Sequence, residues 1–194
     1  MKNYMMAVYL MAGALAFASC NSGNNNEEQA TSANASGEPA VALEADSTLT
    51  DEKKELLSYL NEKILLQQEL GRIAVERGQS DAVKQYGQQM VTQYEPKQAS
   101  LQDLAQDFNV SLTQSDDNQS KVQDLRDVKA ENFDKKYLDE VASAHKDAIS
   151  EIDNVLNDPG ETNNSLVNVW ARTTKKEMQA QREEALRLQQ EMKR

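Results

Sequence analysis

The stretch NFDKKYLDEVASAHKDAISEIDNV, residues 132–155, decides the fold of this chain. The side chains that recur there every three or four positions fall on one side of an α-helix: Phe133, Tyr137, Val141, His145, Ala148, Ile152 and Val155. Asn157-Asp158-Pro159-Gly160 comes next and combines residues that end helices and form turns. The sequence therefore predicts a long amphipathic helix that buries one face against neighbouring helices.

Two helices of the same kind are predicted before this stretch. The first begins at Thr50, a good capping residue with acidic residues behind it, and ends at Gly78. The second begins at Ser80, and its apolar stripe comprises Val83, Tyr86, Met90, Tyr94, Leu101, Ala105 and Phe108. Pro96 lies inside this second helix, where a proline removes one hydrogen bond and usually causes a kink.

A last helix is predicted after the turn. It begins at Asn164 or Ser165 and carries the stripe Val167, Trp170, Thr174, Met178, Gln181, Ala185, Leu188 and Met192. Residues 116–132 predict only a short helical turn or two. Three long helices and one interrupted by a short piece, joined by short turns, predict an all-α fold, an antiparallel four-helix bundle over residues 48–194.

The N-terminus has the features of an export signal. Lys2 is the only charged residue before Glu27, and the apolar run of residues 5–18 follows it. A positive start, an apolar stretch of this length and small residues before a cleavage site describe a secretory signal peptide. Because a membrane-spanning helix needs about 20 apolar residues, we expect residues 1–19 to be cleaved off and not to span the membrane.

Cys20 follows the small residues Ala18 and Ser19 and is the only cysteine of the chain. This arrangement resembles the lipobox of bacterial lipoproteins, in which the cysteine receives a diacylglycerol and its new N-terminus is acylated; Phe17 stands where leucine is usual. The resemblance implies lipid attachment at Cys20, and the alternative is an ordinary signal peptide with an incidental cysteine. Asn21, not aspartate, comes next, which favours sorting to the outer membrane by the rule of enteric bacteria. We expect the domain to face the periplasm.

Residues 20–47 differ in composition from the rest of the chain. Asn, Ser, Gly, Ala and Glu dominate them, and they contain no aromatic residue. Such a segment buries too little apolar surface to offset its conformational entropy, so we expect a disordered linker. A flexible chain of this length reaches roughly 30 Å, which predicts a domain held just off the bilayer.

The charge of the chain limits its partners. Removing Lys2 with the signal peptide leaves 20 basic and 32 acidic residues, out of 21 and 32 in the full chain. Such an acidic surface repels phosphate backbones, so we expect no nucleic-acid binding. It also disfavours flat binding to anionic lipid, which leaves the lipid anchor as the expected membrane contact.

Four segments carry a family resemblance: Glu69-Leu-Gly-Arg-Ile-Ala, Val83-Lys-Gln-Tyr-Gly-Gln-Gln-Met-Val, Phe133-Asp-Lys-Lys-Tyr-Leu-Asp and Ala144-His145-Lys-Asp-Ala. Over about residues 54–188 the chain resembles the domain of unknown function 4142 family. The resemblance implies a ferritin-like four-helix bundle in an exported or envelope protein, without an established reaction. Family members often carry a histidine in the second, third and last helices, where this chain has Tyr94, His145 and a position near Ala180.

The sequence argues against a standard ferritin-type metal site, which needs carboxylates on all four helices and Glu-x-x-His pairs on two of them. The positions that share a face with His145 on its own helix hold no carboxylate: Val141, Ala142, Ala148 and Ile149. A variant site would have to use Glu69 and Glu177. We instead expect a buried histidine that hydrogen-bonds a polar neighbour, either Tyr94, Thr174 or Gln181.

No signature of catalysis accompanies this helical pattern. The chain has no Gly-x-Ser-x-Gly turn and no Gly-rich phosphate loop, and aromatic residues at helical spacing are typical of a core. We therefore expect no catalytic residue, cofactor or metal, and a non-enzymatic envelope lipoprotein with a structural or interaction role. The polar run of residues 175–194 is then a solvated face or a helix that binds an envelope protein. The alternative is a ferritin-like metal-binding or redox protein.

Overall fold

The computed structural model describes residues 49–113, 117–157 and 165–193. These residues form five α-helices: α1 (Asp51–Arg77), α2 (Asp81–Asp107), α3 (Asp117–Arg126), α4 (Ala130–Leu156) and α5 (Leu166–Glu191). The expected all-α class is confirmed, and no strand occurs in the described ranges. The expected signal peptide, Cys20 and the linker up to residue 47 lie outside these ranges.

The number of helices corrects the sequence-based expectation of four. The weak pattern after residue 116 is a ten-residue helix, α3, and not a mere turn or two. Leu125 is its buried apolar residue, and Asn118 donates a hydrogen bond to the carbonyl of Glu62 on α1, at 2.8 Å. Because α3 has little apolar surface, its position depends on such polar contacts with α1, which sequence periodicity does not reveal.

The helix boundaries follow from local chemistry, as the sequence predicts. The hydroxyls of Thr50, Ser80 and Ser165 cap α1, α2 and α5 by accepting a hydrogen bond from the backbone N–H of the third residue of each helix. Gly78 closes α1 with a hydrogen bond from its N–H to the carbonyl of Ala74. Asn109 follows α2 with a φ of 53°, a left-handed conformation that asparagine tolerates and that turns the chain.

Adjacent long helices run antiparallel, whereas α2 and α4, which contact each other across the core, run parallel. Contacts between α1 and α2 pair early residues of one with late residues of the other, as in Asn61 with Gln98 and Gly71 with Gly87. The same reversal holds between α4 and α5 and between α2 and α5. The aromatic and aliphatic stripes of these helices therefore meet in one shared apolar core.

Two glycines allow α1 and α2 to pack closely. A Cβ atom on Gly87 would lie 2.7 Å from the Cβ of Ala74 and 2.7 Å from the carbonyl oxygen of Gly71. A Cβ on Gly71 would lie 2.8 Å from the carbonyl oxygen of Gly87. These distances are shorter than van der Waals contact, so the helices can adopt this separation only with glycine at both positions.

Hydrogen bonds of Asp134 and Arg77 join the α1–α2 turn to the start of α4. The carboxylate of Asp134 accepts hydrogen bonds from the backbone N–H groups of Gln79 and Ser80, at 2.7 and 2.9 Å. Arg77 donates to the carbonyls of Leu125, Arg126 and Val128 and lies over the Phe133 ring. These hydrogen bonds satisfy backbone N–H groups of the turn between α1 and α2 and backbone carbonyl groups of the turn between α3 and α4.

The polar C-terminal half of α5 still belongs to the core. Its buried residues continue to Leu188, and Gln189 donates a hydrogen bond to Asp139 of α4, at 2.9 Å. The inner face of this segment is therefore packed, and most of the polar side chains between residues 175 and 191 lie on its outer face. Among the described residues, no helix is long and apolar enough to cross a membrane.

Candidate functional site

A polar cluster lies inside the apolar core, where three long helices meet. It consists of Tyr94 on α2, His145 on α4 and Gln181 on α5. The hydroxyl Oη of Tyr94 is 2.8 Å from His145 Nε2 and 2.6 Å from Gln181 Oε1, and Nε2 and Oε1 are 3.0 Å apart. Tyr94 and His145 are each 1% exposed, so water does not compete for these hydrogen bonds.

The backbone of α4 fixes the tautomer of His145. Its Nδ1 lies 2.7 Å from the carbonyl oxygen of Val141, one turn earlier, and because a carbonyl only accepts, Nδ1 carries the proton. Burial disfavours the charged ring and lowers the pKa of His145 to about 4. The imidazole is therefore neutral at pH 7, and Nε2 offers a lone pair toward Tyr94.

Burial acts on the tyrosine in the opposite sense. It disfavours the phenolate and raises the pKa of Tyr94 well above its usual range. Tyr94 therefore keeps its proton at neutral pH. Tyr94 Oη, His145 Nε2 and Gln181 Oε1 lie within hydrogen-bond distance of one another. Of these three atoms, only the hydroxyl oxygen of Tyr94 carries a proton.

Gln181 and Tyr86 connect this cluster to the surface. Tyr86 donates to the backbone carbonyl of Gln181, at 2.7 Å, and the side-chain amide of Gln181 donates to Gln93 Oε1. These three residues line a groove of about 650 Å³ between α2 and α5. Its other lining residues are mainly polar: Gln89, Thr92, Pro96, Lys97, Glu177, Ala180 and Glu184.

An ion pair lies at one end of the groove. Lys97 forms an ion pair with Glu177 across the two helices, and its Nζ also lies 3.3 Å from the hydroxyl of Thr174 and 5.8 Å from the centre of the Trp170 ring. Trp170 in turn donates to Ser100, at 3.0 Å. These contacts hold α2 and α5 together beyond Pro96, so the groove lies between this end and Tyr86.

The structure confirms two of the three partners expected for His145. Tyr94 Oη and Gln181 Oε1 both lie within hydrogen-bond distance of His145 Nε2, whereas the hydroxyl of Thr174 accepts a hydrogen bond from Lys97. Of the positions marked by the family resemblance, Tyr94 and His145 do meet. The residue of α5 that joins them is Gln181, and the neighbouring Ala180 faces the groove.

The carboxylates considered for a variant metal site do not join His145, so that arrangement was wrong. Glu69 forms ion pairs with Arg72 and Arg126 on the other side of α1, and Glu177 pairs with Lys97. Over residues 49–113, 117–157 and 165–193, no three His, Cys, Asp or Glu side chains cluster closely enough to hold a metal ion.

Sequence reasoning missed the groove and the part that Gln93 plays in it. Gln93 is exposed and lies beside the apolar stripe of α2, so its pattern is that of an ordinary surface glutamine. The sequence feature that could have indicated the groove is the group of glutamines at positions 88, 89 and 93, on the helix that also contains Pro96. A groove depends on the separation of two helices, which periodicity within each helix does not encode.

The family comparison supports the resemblance noted in the sequence. The model of the family described as a domain of unknown function (DUF4142) matches residues 38–188, and this chain belongs to that family. The match includes all of α1 to α4 and most of α5. No curated protein and no solved structure matches the chain.

Proposed function

We propose that this chain is an exported lipoprotein, anchored by acylated Cys20 to the cell envelope, outer membrane facing the periplasm. The observation that supports the anchor is the order of its first residues: Lys2, the apolar run 5–18, then Ser19 and Cys20. Two or more acyl chains give stable membrane attachment without a spanning helix. The helical domain is then the part presented to the envelope.

Detergent phase partitioning tests the anchor. The wild-type protein should enter the detergent phase, and Cys20→Ala should leave it in the aqueous phase. Ser22→Ala, two residues further on, is the matched control and should behave as the wild type. If the wild-type protein stays in the aqueous phase, the chain is not lipidated at Cys20.

We further propose that the four long helices form a ferritin-like four-helix bundle, with α3 as an addition beside α1. The reversed contact order between neighbouring helices supports this arrangement. A zero-length carbodiimide reagent, which joins a lysine to a carboxylate in contact, should link Lys97 to Glu177 and Lys175 to Asp153 within one chain. Peptide mapping that finds neither link would contradict the bundle.

The domain's role, in this proposal, is non-enzymatic binding of an envelope partner at the α2–α5 groove. The groove supports it because its lining includes Gln181 of the buried cluster and carries amide, hydroxyl and charged groups. Ala180→Arg would fill the groove, whereas Gln179→Arg places the same charge on the adjacent exposed position. Cross-linked adducts in intact cells should disappear with the first variant only; equal loss or equal retention would argue against binding there.

A ferritin-like metal-binding or redox role is the alternative, and one observation favours it. Tyr94, His145 and Gln181 bring oxygen and nitrogen donors from three helices to one point. Metal analysis of untagged protein decides between the two roles. Stoichiometric iron, manganese or zinc that is lost in His145→Gln would support the alternative and displace the first proposal.

A further inference from the structure

The Tyr94 hydroxyl has two acceptors within hydrogen-bond distance, His145 Nε2 at 2.8 Å and Gln181 Oε1 at 2.6 Å, and the imidazole is the one that can take up its proton. Tyr94 and His145 are both buried, and Val141 holds the imidazole with Nε2 directed at the hydroxyl. Two apolar side chains of the same shape could fill this space at little cost in stability. The pair therefore has a chemical capability that core packing does not use.

Burial restricts how Tyr94 can react. Losing a proton alone would leave a phenolate, and losing an electron alone would leave a phenol radical cation; both would be bare charges in the core. Losing both together gives a neutral phenoxyl radical, provided that a base takes the proton within hydrogen-bond reach. A neutral imidazole at 2.8 Å meets that condition, since an oxidised phenol is a far stronger acid than an imidazolium ion.

Gln181 is placed to stabilise the product of that step. In the resting cluster, its Oε1 lies 3.0 Å from His145 Nε2 with no proton of the histidine between them. Once Nε2 is protonated, the same contact becomes a charge-assisted hydrogen bond, and Val141 continues to accept from Nδ1. Both N–H groups of the imidazolium then have acceptors already in position, so no reorganisation is needed.

We propose that Tyr94 is a redox-active tyrosine and that His145 accepts its phenolic proton. A diffusible radical oxidant takes one electron from Tyr94, the Oη–H bond breaks and an N–H bond forms at His145 Nε2. The products are a neutral phenoxyl radical, an imidazolium ion and the oxidant reduced by one electron. Tyr86 lines the groove and donates a hydrogen bond to the backbone carbonyl of Gln181, so the groove is the proposed path for the oxidant.

Flash oxidation with electron paramagnetic resonance detection tests this assignment on the full mature protein. The probe oxidant is photogenerated ruthenium(III) tris-bipyridine, with persulfate as the sacrificial acceptor. A tyrosyl radical should form in the wild type and in Tyr59→Phe, a control for a partly exposed tyrosine, and should be lost in Tyr94→Phe. His145→Gln keeps an acceptor but cannot take the proton, so oxidation should be about a hundredfold slower, the low end of what a positioned base contributes.

Two results would overturn the proposal: an undiminished radical in Tyr94→Phe, or an unchanged oxidation rate in His145→Gln. If Tyr94→Phe fails to fold, difluorotyrosine incorporated at position 94 keeps the hydroxyl and replaces that variant. The radical spectrum should then show fluorine hyperfine splitting. A spectrum without that splitting places the radical on another tyrosine and rejects Tyr94.

Discussion

At the scale of single residues, His145 shows how burial and hydrogen bonding oppose each other. Desolvation lowers its pKa, while the hydrogen bonds to Val141 and Gln181 raise it, and the folded value of about 4 shows that desolvation dominates. The unfolded chain has an ordinary histidine with a pKa of about 6.5. Between about pH 4 and pH 6.5, the unfolded chain therefore binds a proton at this histidine and the folded chain does not.

The pH dependence of stability should reveal this difference. Above about pH 6.5 the ring is neutral in both states and contributes no pH dependence; as the pH falls toward 4, the unfolded chain gains the proton and the folded chain loses about 3 kcal/mol of stability. His145→Gln should cost about 1 kcal/mol at pH 7, because an amide replaces only some of the hydrogen bonds. It should also lack this acid-induced loss.

Urea denaturation of both proteins from pH 7.5 to 4.5 provides the measurement. The difference between the two unfolding free energies isolates His145, since carboxylates titrate in both proteins and His145 is the only histidine. The variant should be the less stable protein at pH 7 and the more stable one near pH 4.5. Parallel curves would mean that His145 is hydrated in solution.

Gln67 offers a second test at this scale. It is 1% exposed, and neither its amide nitrogen nor its amide oxygen has a hydrogen-bond partner in the described part of the chain. Leucine has a similar size, so Gln67→Leu should raise the unfolding free energy by about 1–3 kcal/mol, the cost of an unsatisfied buried polar group.

The neighbouring Gln68 is the matched control for that substitution. It is also buried, but it donates to the carbonyl of Tyr94 and accepts from Arg72. Gln68→Leu should therefore lower the melting temperature while Gln67→Leu raises it. A loss in both variants would show that Gln67 has a partner, such as a bound water, in solution.

At the scale of elements, α2 contains Gly87 and Pro96, two residues that disfavour regular helices. It continues through Pro96 from Asp81 to Asp107, so the proline does not begin a new helix. A proline at position 96 cannot donate to the carbonyl of Thr92, four residues earlier. Pro96→Ala restores that hydrogen bond and should stabilise the fold by up to about 3 kcal/mol. A lower melting temperature would instead show that the α2–α5 packing depends on proline at this position.

Gly87 has the opposite sensitivity. Alanine is the better helix former by about 1 kcal/mol, but its Cβ would overlap Ala74 and the backbone of Gly71 on α1. Gly87→Ala should therefore lower stability by about 1–3 kcal/mol net, as overpacked cores do. Gln88→Ala, an exposed change in the same turn, should stay within about 0.5 kcal/mol. Calorimetric melting of the two variants gives the comparison, and a stable Gly87→Ala would mean that α1 and α2 lie further apart.

The elements also show which parts of this fold a sequence can predict. Caps at Thr50, Ser80 and Ser165 and the stripe around His145 follow from local rules, because each depends on residues within one or two turns. The length of α3 does not, because it is stabilised by α1 contacts such as Asn118 with Glu62. Likewise the identity of His145's partners could be narrowed to three but not fixed, since it depends on helix register across the core.

At the scale of the whole molecule, an acidic helical domain would be joined to the proposed N-terminal membrane anchor. The full chain has a formal net charge of −11, and a surface of this charge repels anionic lipid. A lipid anchor would supply the membrane affinity that this surface lacks. The groove and the buried cluster would then act on partners or oxidants in the envelope, and their location depends on that anchor.

Mass spectrometry of the N-terminal peptide from the membrane-extracted protein is therefore the most direct test of the central claim. We expect a mature chain that begins at Cys20, with a diacylglycerol on the sulfur and an acyl group on the new amine. The corresponding Cys20→Ala protein should carry no lipid mass. A wild-type chain that begins at another residue, or that has an unmodified thiol at Cys20, would contradict the account.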